Sequence, residues 1–466
     1  MKTLIEPTEI DLYDFPWQAP LTAVEEGCFG SRRYHSIIEP DDLSVQERKL
    51  FDANPDDFKW AREQIKDLPD YLTKYFVTRY ISVLQKEGRR VANIFLRERM
   101  GPAAERALMV LRKYKKLPTT QKIALLSKEF GEGDDPFNPA YFTEHRYPED
   151  TFREQISLDF RQIEKNRKPS KSRLLAELEP SEVKDMAFKI SQITKAKFPL
   201  IANRVANRDL DKDEIPEVLG YEELAEFVCH FGMTPPRKKK KQTDLTALND
   251  ISRMLDEKWW YGRLNKTRKI MREHLAIAMG QVSSKASPYA SWDCVREHQA
   301  QQTANYEYIK QCQLLDEETG EEADLWDMVK KSVANPAIRR HELMVRCRGC
   351  EDIGNELSLQ GLFLTLTTPS KYHNSYKKGG FIGHWNGASP RDAQSYLNNV
   401  WQRIRAKLGR EEIRWFGVRV AEPHHDGTPH WHLLIWVKPE DVMQVRDIFI
   451  SYATLEDRGE LHPELE

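Results

Sequence analysis

Apolar residues recur at three- and four-residue spacings from about residue 58 to about 240, the period of helices that bury one face. The stretches KWAREQIKDL, DYLTKYFVTRYISVLQKEG and RRVANIFLRERM carry this period most clearly. In the second, Tyr71, Leu72, Tyr75, Phe76 and Tyr80 make one broad stripe, which reads as helix-bundle core. Further helices are expected at about 103–114, 119–129, 151–165, 180–207 and 221–231. Residues 1 to about 55 show no sustained period. A long helical stretch begins near Thr243 and runs through DEKWWYGRLNKTRKIMREHLAIAMG, followed by helices at roughly 290–313 and 323–347.

From Gly361 the pattern changes. GLFLTLTTPSKYH is a β-branched, apolar run closed by a turn, hence a strand. SPRDAQSYLNNVWQRIRAKLG is a helix in which Ser389 caps, Pro390 occupies the first turn and Gly409 closes. Its apolar stripe is Ala393, Leu397, Val400, Ile404 and Leu408. IRWFGVRVAE and HWHLLIWV are strands joined by PHHDGTP, and DVMQVRDIFISYA is a last helix. The order strand, helix, strand, strand, helix defines an α+β unit with an antiparallel pair at its centre. Three regions follow: a helix-rich 1–234, a basic helical 235–350 and an α+β 351–466.

Composition adds limits. At 466 residues the chain has room for two or three domains. No stretch approaches the roughly 20 apolar residues of a membrane span, and MKTLIEPTEIDLYDF is acidic where a signal peptide is basic, so a cytoplasmic protein is expected. Six scattered cysteines build no disulfide framework. The lone CxxC of Cys347 and Cys350 reads as free thiols rather than a zinc or redox site. Asp209, Asp211 and Asp213 imitate a calcium loop, but Glu214 and Gly220 stand where Gly and Glu are needed.

With 71 basic and 73 acidic residues, charge informs only through its distribution. PPRKKKKQ, with Lys238, Lys239 and Lys240, is either an exposed phosphate-touching linker or a solvated loop. Arg263, Lys266, Arg268, Lys269 and Arg272 follow beside Trp259, Trp260 and Tyr261, a mixture suited to nucleic acid but also to an ordinary basic helix face.

VRVAEPHHDGTPHWHLLIWV places four of the 13 histidines within nine positions. Strand alternation puts His430 and His432 on one face and Trp431, Leu433, Ile435 and Val437 on the other. Glu422, across the hairpin, completes two imidazoles and a carboxylate, a set suited to Mg²⁺, Mn²⁺ or Zn²⁺. The alternative is two polar residues on a solvent-facing side. His424 and His425 fall in the turn and read as solvent or phosphate neighbours. Amidohydrolase barrels need far more chain after such a pair, and a metallo-β-lactamase motif needs Asp where Leu434 stands.

EPHHDGTPHWH resembles the HUH motif (His, bulky hydrophobe, His) of rolling-circle initiators and relaxases. FLTLTTPSKYH resembles their first strand motif. With SVANPAIRRHELMVRCRGCE before them, the set is similar to the phage replication gene A protein family, most densely over about 330–452. The resemblance implies an HUH-type antiparallel sheet with flanking helices and a site-specific endonuclease that nicks single-stranded DNA to start rolling-circle replication. It implies Mg²⁺ or Mn²⁺ held by His430, His432 and Glu422, and origin DNA and a host replication helicase as partners. Lys371, in the first motif, joins Lys238, Lys239, Lys240, Arg263, Lys266 and Lys269 as an expected DNA contact.

In that family a tyrosine, often in a YxxxY pair, attacks the phosphate and becomes linked to the 5′ end. The 34 residues after His432 contain one tyrosine, Tyr452, without such a partner. The expectation is that the chain stops before its nucleophile and that its endonuclease domain is incomplete. Tyr452 as nucleophile, or a DNA-binding module that does not cut, are the alternatives.

Overall fold

The structure is a computed structural model describing residues 43–459 except 67, 132–171, 210–213, 237–242, 316, 321 and 457. The helix expected at 151–165 and the basic run with Lys238, Lys239 and Lys240 lie outside the described residues. Packing of Cα atoms divides the chain into two units, Met1–Arg272 and Glu273–Glu466.

The first unit is helical: α1 (Val45–Ala53), α2 (Phe58–Ile65), α3 (Asp70–Glu87), α4 (Arg89–Ile94), α5 (Gly101–Lys113), α6 (Thr120–Gly131), α7 (Pro180–Ala206), α8 (Pro216–His230), α9 (Asp244–Leu255) and the start of α10 (Glu257–Ala278). The aromatic stripe of α3 is core, with Leu72, Phe76 and Tyr80 fully buried. Tyr80 also has a polar task. Its hydroxyl accepts from Asn54 Nδ2 at 2.7 Å and donates to Asn93 Oδ1 at 2.9 Å, while both amides reach buried Asp57. Gly220, the last position of the imitated calcium loop, lies inside α8.

Two expectations about helices need correction here. The stretch from Thr243 is two helices, because Thr243 caps α9 and Asp256 takes extended dihedrals before α10. Residues 323–347 are not one helix. A hairpin of β1 (Gln313–Leu315) and β2 (Glu322–Asp324) follows α11 (Trp292–Lys310), then come α12 (Leu325–Lys331) and α13 (Pro336–Glu356). The Asn335 side chain accepts from Ala337 N, and Pro336 opens α13 without needing a donor, so a new helix starts there.

The second unit carries a three-stranded antiparallel sheet in the order β3 (Gln360–Leu366), β5 (Pro429–Val437), β4 (Phe416–Pro423). Helix α14 (Pro390–Arg410) joins β3 to β4, and α15 (Val442–Ala453) follows β5. The expected α+β order is the observed one.

Both helices pack on one sheet face. Trp431, Leu433, Ile435 and Val437 meet Leu397, Val400, Ile404 and Leu408 of α14 and Val445, Ile448 and Phe449 of α15 there. Trp431 is fully buried and donates from Nε1 to Gln394 Oε1 at 3.0 Å. The capping box at Ser389 is present as expected. Gly409 does not end α14, however. Glu412 adopts φ of +57°, and Ile413 N and Glu412 N bond back to Leu408 O and Gly409 O, a Schellman closure on a glutamate.

Candidate metal centre

The opposite sheet face is built from register. Thr365 pairs His432, which pairs Val420, and His430 pairs Glu422, so these side chains share one face. His430 Nε2 and His432 Nε2 lie 3.0 Å apart. Glu422 Oε2 is 3.7 Å from His432 Nε2, and one ligand atom from each of the three residues falls within 4.8 Å of the others. Among the described residues this is the one group of three or more such ligands.

Each imidazole is oriented from behind. His432 Nδ1 bonds Thr365 Oγ1 at 3.1 Å, which turns Nε2 toward His430. Phe363, two residues before Thr365, stacks on His432 with centroids 5.4 Å apart and planes 15° from parallel. His430 is wedged against His424, with centroids 4.1 Å apart. Burial, then the charge of His432, lowers the pKa of His430; burial, then His430 and His373, lowers that of His424 to about 4. Both rings are therefore neutral near pH 7, the state in which imidazole is a ligand.

The turn between β4 and β5 is clasped rather than solvated. Asp426 is 1% exposed, and Oδ2 bonds His373 Nδ1 at 3.0 Å and Asn374 N at 3.2 Å, while Oδ1 accepts from Thr428 N at 3.1 Å. Burial alone would raise its pKa, but these bonds, led by that from His373, bring it down to about 2. His425 Nε2 reaches Ser375 O at 3.0 Å. This corrects the expectation for the turn histidines. His424 is half-buried between His373 and His430, and His425 is tied to the chain after β3.

The other expected residues are scattered. Tyr452, on α15, packs against the cluster on the Trp431 face, away from the histidines. Lys371 Nζ is 2.7 Å from Glu456 Oε1. Arg263 and Lys266 are exposed on α10, Arg263 lying over Trp259, and Lys269 is half-buried. Trp260 and Arg268 are buried. Arg268 Nε donates to Leu178 O and Arg272 Nε to Ala176 O, both at 2.5 Å, so these two arginines and Trp260 hold the helical unit together. Cys347 and Cys350 are free thiols. Sequence reasoning missed Phe363, Thr365, His373 and Asp426. The signal for Phe363 and Thr365 was their alternation with Leu362, Leu364 and Leu366 on β3.

A helical unit and an α+β unit with a two-histidine, one-carboxylate cluster on the sheet face opposite α14 and α15 describe the class. Residues 181–466 match the family model described as bacteriophage replication gene A protein, and the chain belongs to that family. It is 46% identical over 287 residues to the replication gene A protein of Escherichia phage 186, covering 59% of this chain and 41% of that protein. It is 31% identical over 446 residues to the replication protein of Haemophilus phage HP1 (strain HP1c1), covering 88% of this chain and 56% of that one. A probable replication endonuclease from a prophage-like region of Shigella boydii serotype 4 (strain Sb227) is 34% identical over 265 residues, 55% of this chain and 33% of that protein. The chain thus spans about half or less of the length of these relatives. No solved structure matches it. No helix among the described residues is long and apolar enough to cross a membrane.

Proposed function

We propose that this chain carries the metal-binding part of an HUH-type endonuclease that nicks one DNA strand at a replication origin. The observation that carries this reading is the facing pair of imidazole Nε2 atoms, 3.0 Å apart, with the Glu422 carboxylate beside them. The replication endonuclease named among the relatives gives the chemical direction.

The donor set fits a divalent cation. Two imidazoles and one carboxylate suit Mn²⁺ better than Mg²⁺, which prefers oxygen. His430, His432 and Glu422 would hold the ion, Thr365 orients the ring of His432, and His424 keeps His430 from swinging away. A cation held there would supply Lewis-acid polarisation of a phosphodiester oxygen. In the displacement itself a tyrosine hydroxyl forms a bond to phosphorus as the bond to the 3′ oxygen breaks. The tyrosine proton passes to solvent and the 3′ oxygen leaves as a hydroxyl. That hydroxyl must approach on the histidine face, and Tyr452 occupies the other, so Tyr452 is not assigned this role.

Single-stranded origin DNA labelled at the 5′ end and incubated with Mn²⁺ tests the reading. Metal-dependent cutting that disappears in the His430→Ala, His432→Ala double variant supports it. Cutting that persists in that variant contradicts it. Should the chain hold DNA with equal affinity with and without Mn²⁺ and never cut, it is a DNA-binding module instead. The placement of Tyr452 favours that second reading.

A further inference from the structure

The face of the sheet away from the histidines has its own polar feature at the open edge of β4. A hollow of about 350 Å³ lies between α14 and β4, lined by Asn398, Gln402 and Arg405 of the helix and Trp415, Gly417 and Arg419 of the strand side. A second hollow of about 380 Å³ shares Gln402, Arg405 and Trp415 with it, so the two form one groove along the helix. The indole of Trp415 is half-buried, held edge-on by Trp401 with centroids 5.4 Å apart. The Arg419 guanidinium lies 3.8 Å above the ring of Trp431.

Arg405 and Arg419, both exposed, have no carboxylate partner among the described residues. The amides of Asn398 and Gln402 likewise make no hydrogen bond to the described residues. Like charges lining one groove repel, and burial, then the charge of Arg405, disfavours the cationic form of Arg419. Placing two guanidiniums together without an anion costs stability, and an anion between them removes that cost.

We propose that this groove binds single-stranded DNA, with Arg405 and Arg419 on backbone phosphates, Trp415 under a base and Asn398 and Gln402 beside base edges. Guanidiniums interleaved with an aromatic platform are the chemistry of strand binding without a duplex. A peptide strand added to the edge of β4 would need its backbone groups but neither the paired cations nor the idle amides. The inference rests on the DNA-binding half of the reading above and not on the metal.

Binding of a short fluorescent oligothymidylate, measured by anisotropy in EDTA across a salt series, tests it. The Arg405→Ala, Arg419→Ala variant is expected to bind at least about tenfold more weakly at low salt. Its slope of log affinity against log salt should fall by roughly 1.4, the share of two phosphates on a single strand. Both arginines are exposed and repel each other, so the variant is expected to melt no lower than the wild type. Arg405→Lys, Arg419→Lys should restore most of the slope, and His430→Ala, His432→Ala should leave binding in EDTA unchanged. An unchanged slope in the double alanine variant overturns the proposal while leaving the metal reading intact. So does a wild-type chain that binds no oligothymidylate. Arginine-dependent binding of free thymidine monophosphate as tight as that of the oligonucleotide overturns it too, making the groove a site for nucleotides.

Discussion

Thr365 and His432 face each other across β3 and β5, and the 3.1 Å bond between Thr365 Oγ1 and His432 Nδ1 fixes which imidazole nitrogen points at His430. A ligand histidine held through its second nitrogen loses less freedom on binding an ion. Thr365→Val keeps the shape and removes the bond. Mn²⁺ affinity is expected to fall about 10- to 100-fold with little change in melting temperature. Calorimetric titration of the variant checks this, and an unchanged affinity would show that the threonine merely fills space.

Asp426 anchors the turn that carries His424. Its folded pKa of about 2 lies below the ordinary 3.8, so it stabilises the fold above the higher value and the contribution is lost as pH falls through about 2. Asp426→Asn should therefore cost about 2 kcal/mol at neutral pH. The gap from wild type should shrink as pH falls from about 4 toward 2, and denaturant melts at several pH values would follow it.

Phe363 is 69% exposed, stacked on His432 and level with half-buried Leu434 and Val418. An aromatic ring beside a site for phosphodiesters is a platform for the adjoining base. Phe363→Ala should weaken binding of single-stranded DNA in the presence of Mn²⁺ by roughly 5- to 100-fold, through lost stacking. Mn²⁺ affinity should change much less, because the Thr365 bond still orients His432. Equal DNA binding by both proteins would remove the platform role.

Tyr452→Phe deletes one hydroxyl on the helix side of the sheet. Any DNA cleavage shown by the wild-type chain should survive this change at a similar rate. A cleavage-dead Tyr452→Phe variant would mean that α15 leaves its observed position to reach the histidine face.

Much of the second unit was legible because local rules sufficed. Strict alternation in HWHLLIWV fixed the two faces of β5, and Ser389 with Pro390 marked the start of α14. Longer-range features were hidden. The turn histidines read as solvated because turns usually are, and their burial comes from Asp426 meeting His373, a residue on a distant loop. Arg268 and Arg272 read as surface charge because their carbonyl partners, Leu178 and Ala176, lie far back in the chain. The β1–β2 hairpin escaped notice since it is short, acidic and exposed on both faces, leaving no apolar period to detect.

The central claim is that His430, His432 and Glu422 hold a divalent cation. Calorimetric titration of Mn²⁺ into the wild-type chain and into the His430→Ala, His432→Ala variant tests it without reference to DNA. The account predicts one saturable site in the wild type and none in the variant, with a rise in melting temperature on adding Mn²⁺ confined to the wild type. Equal Mn²⁺ binding by both proteins would contradict it.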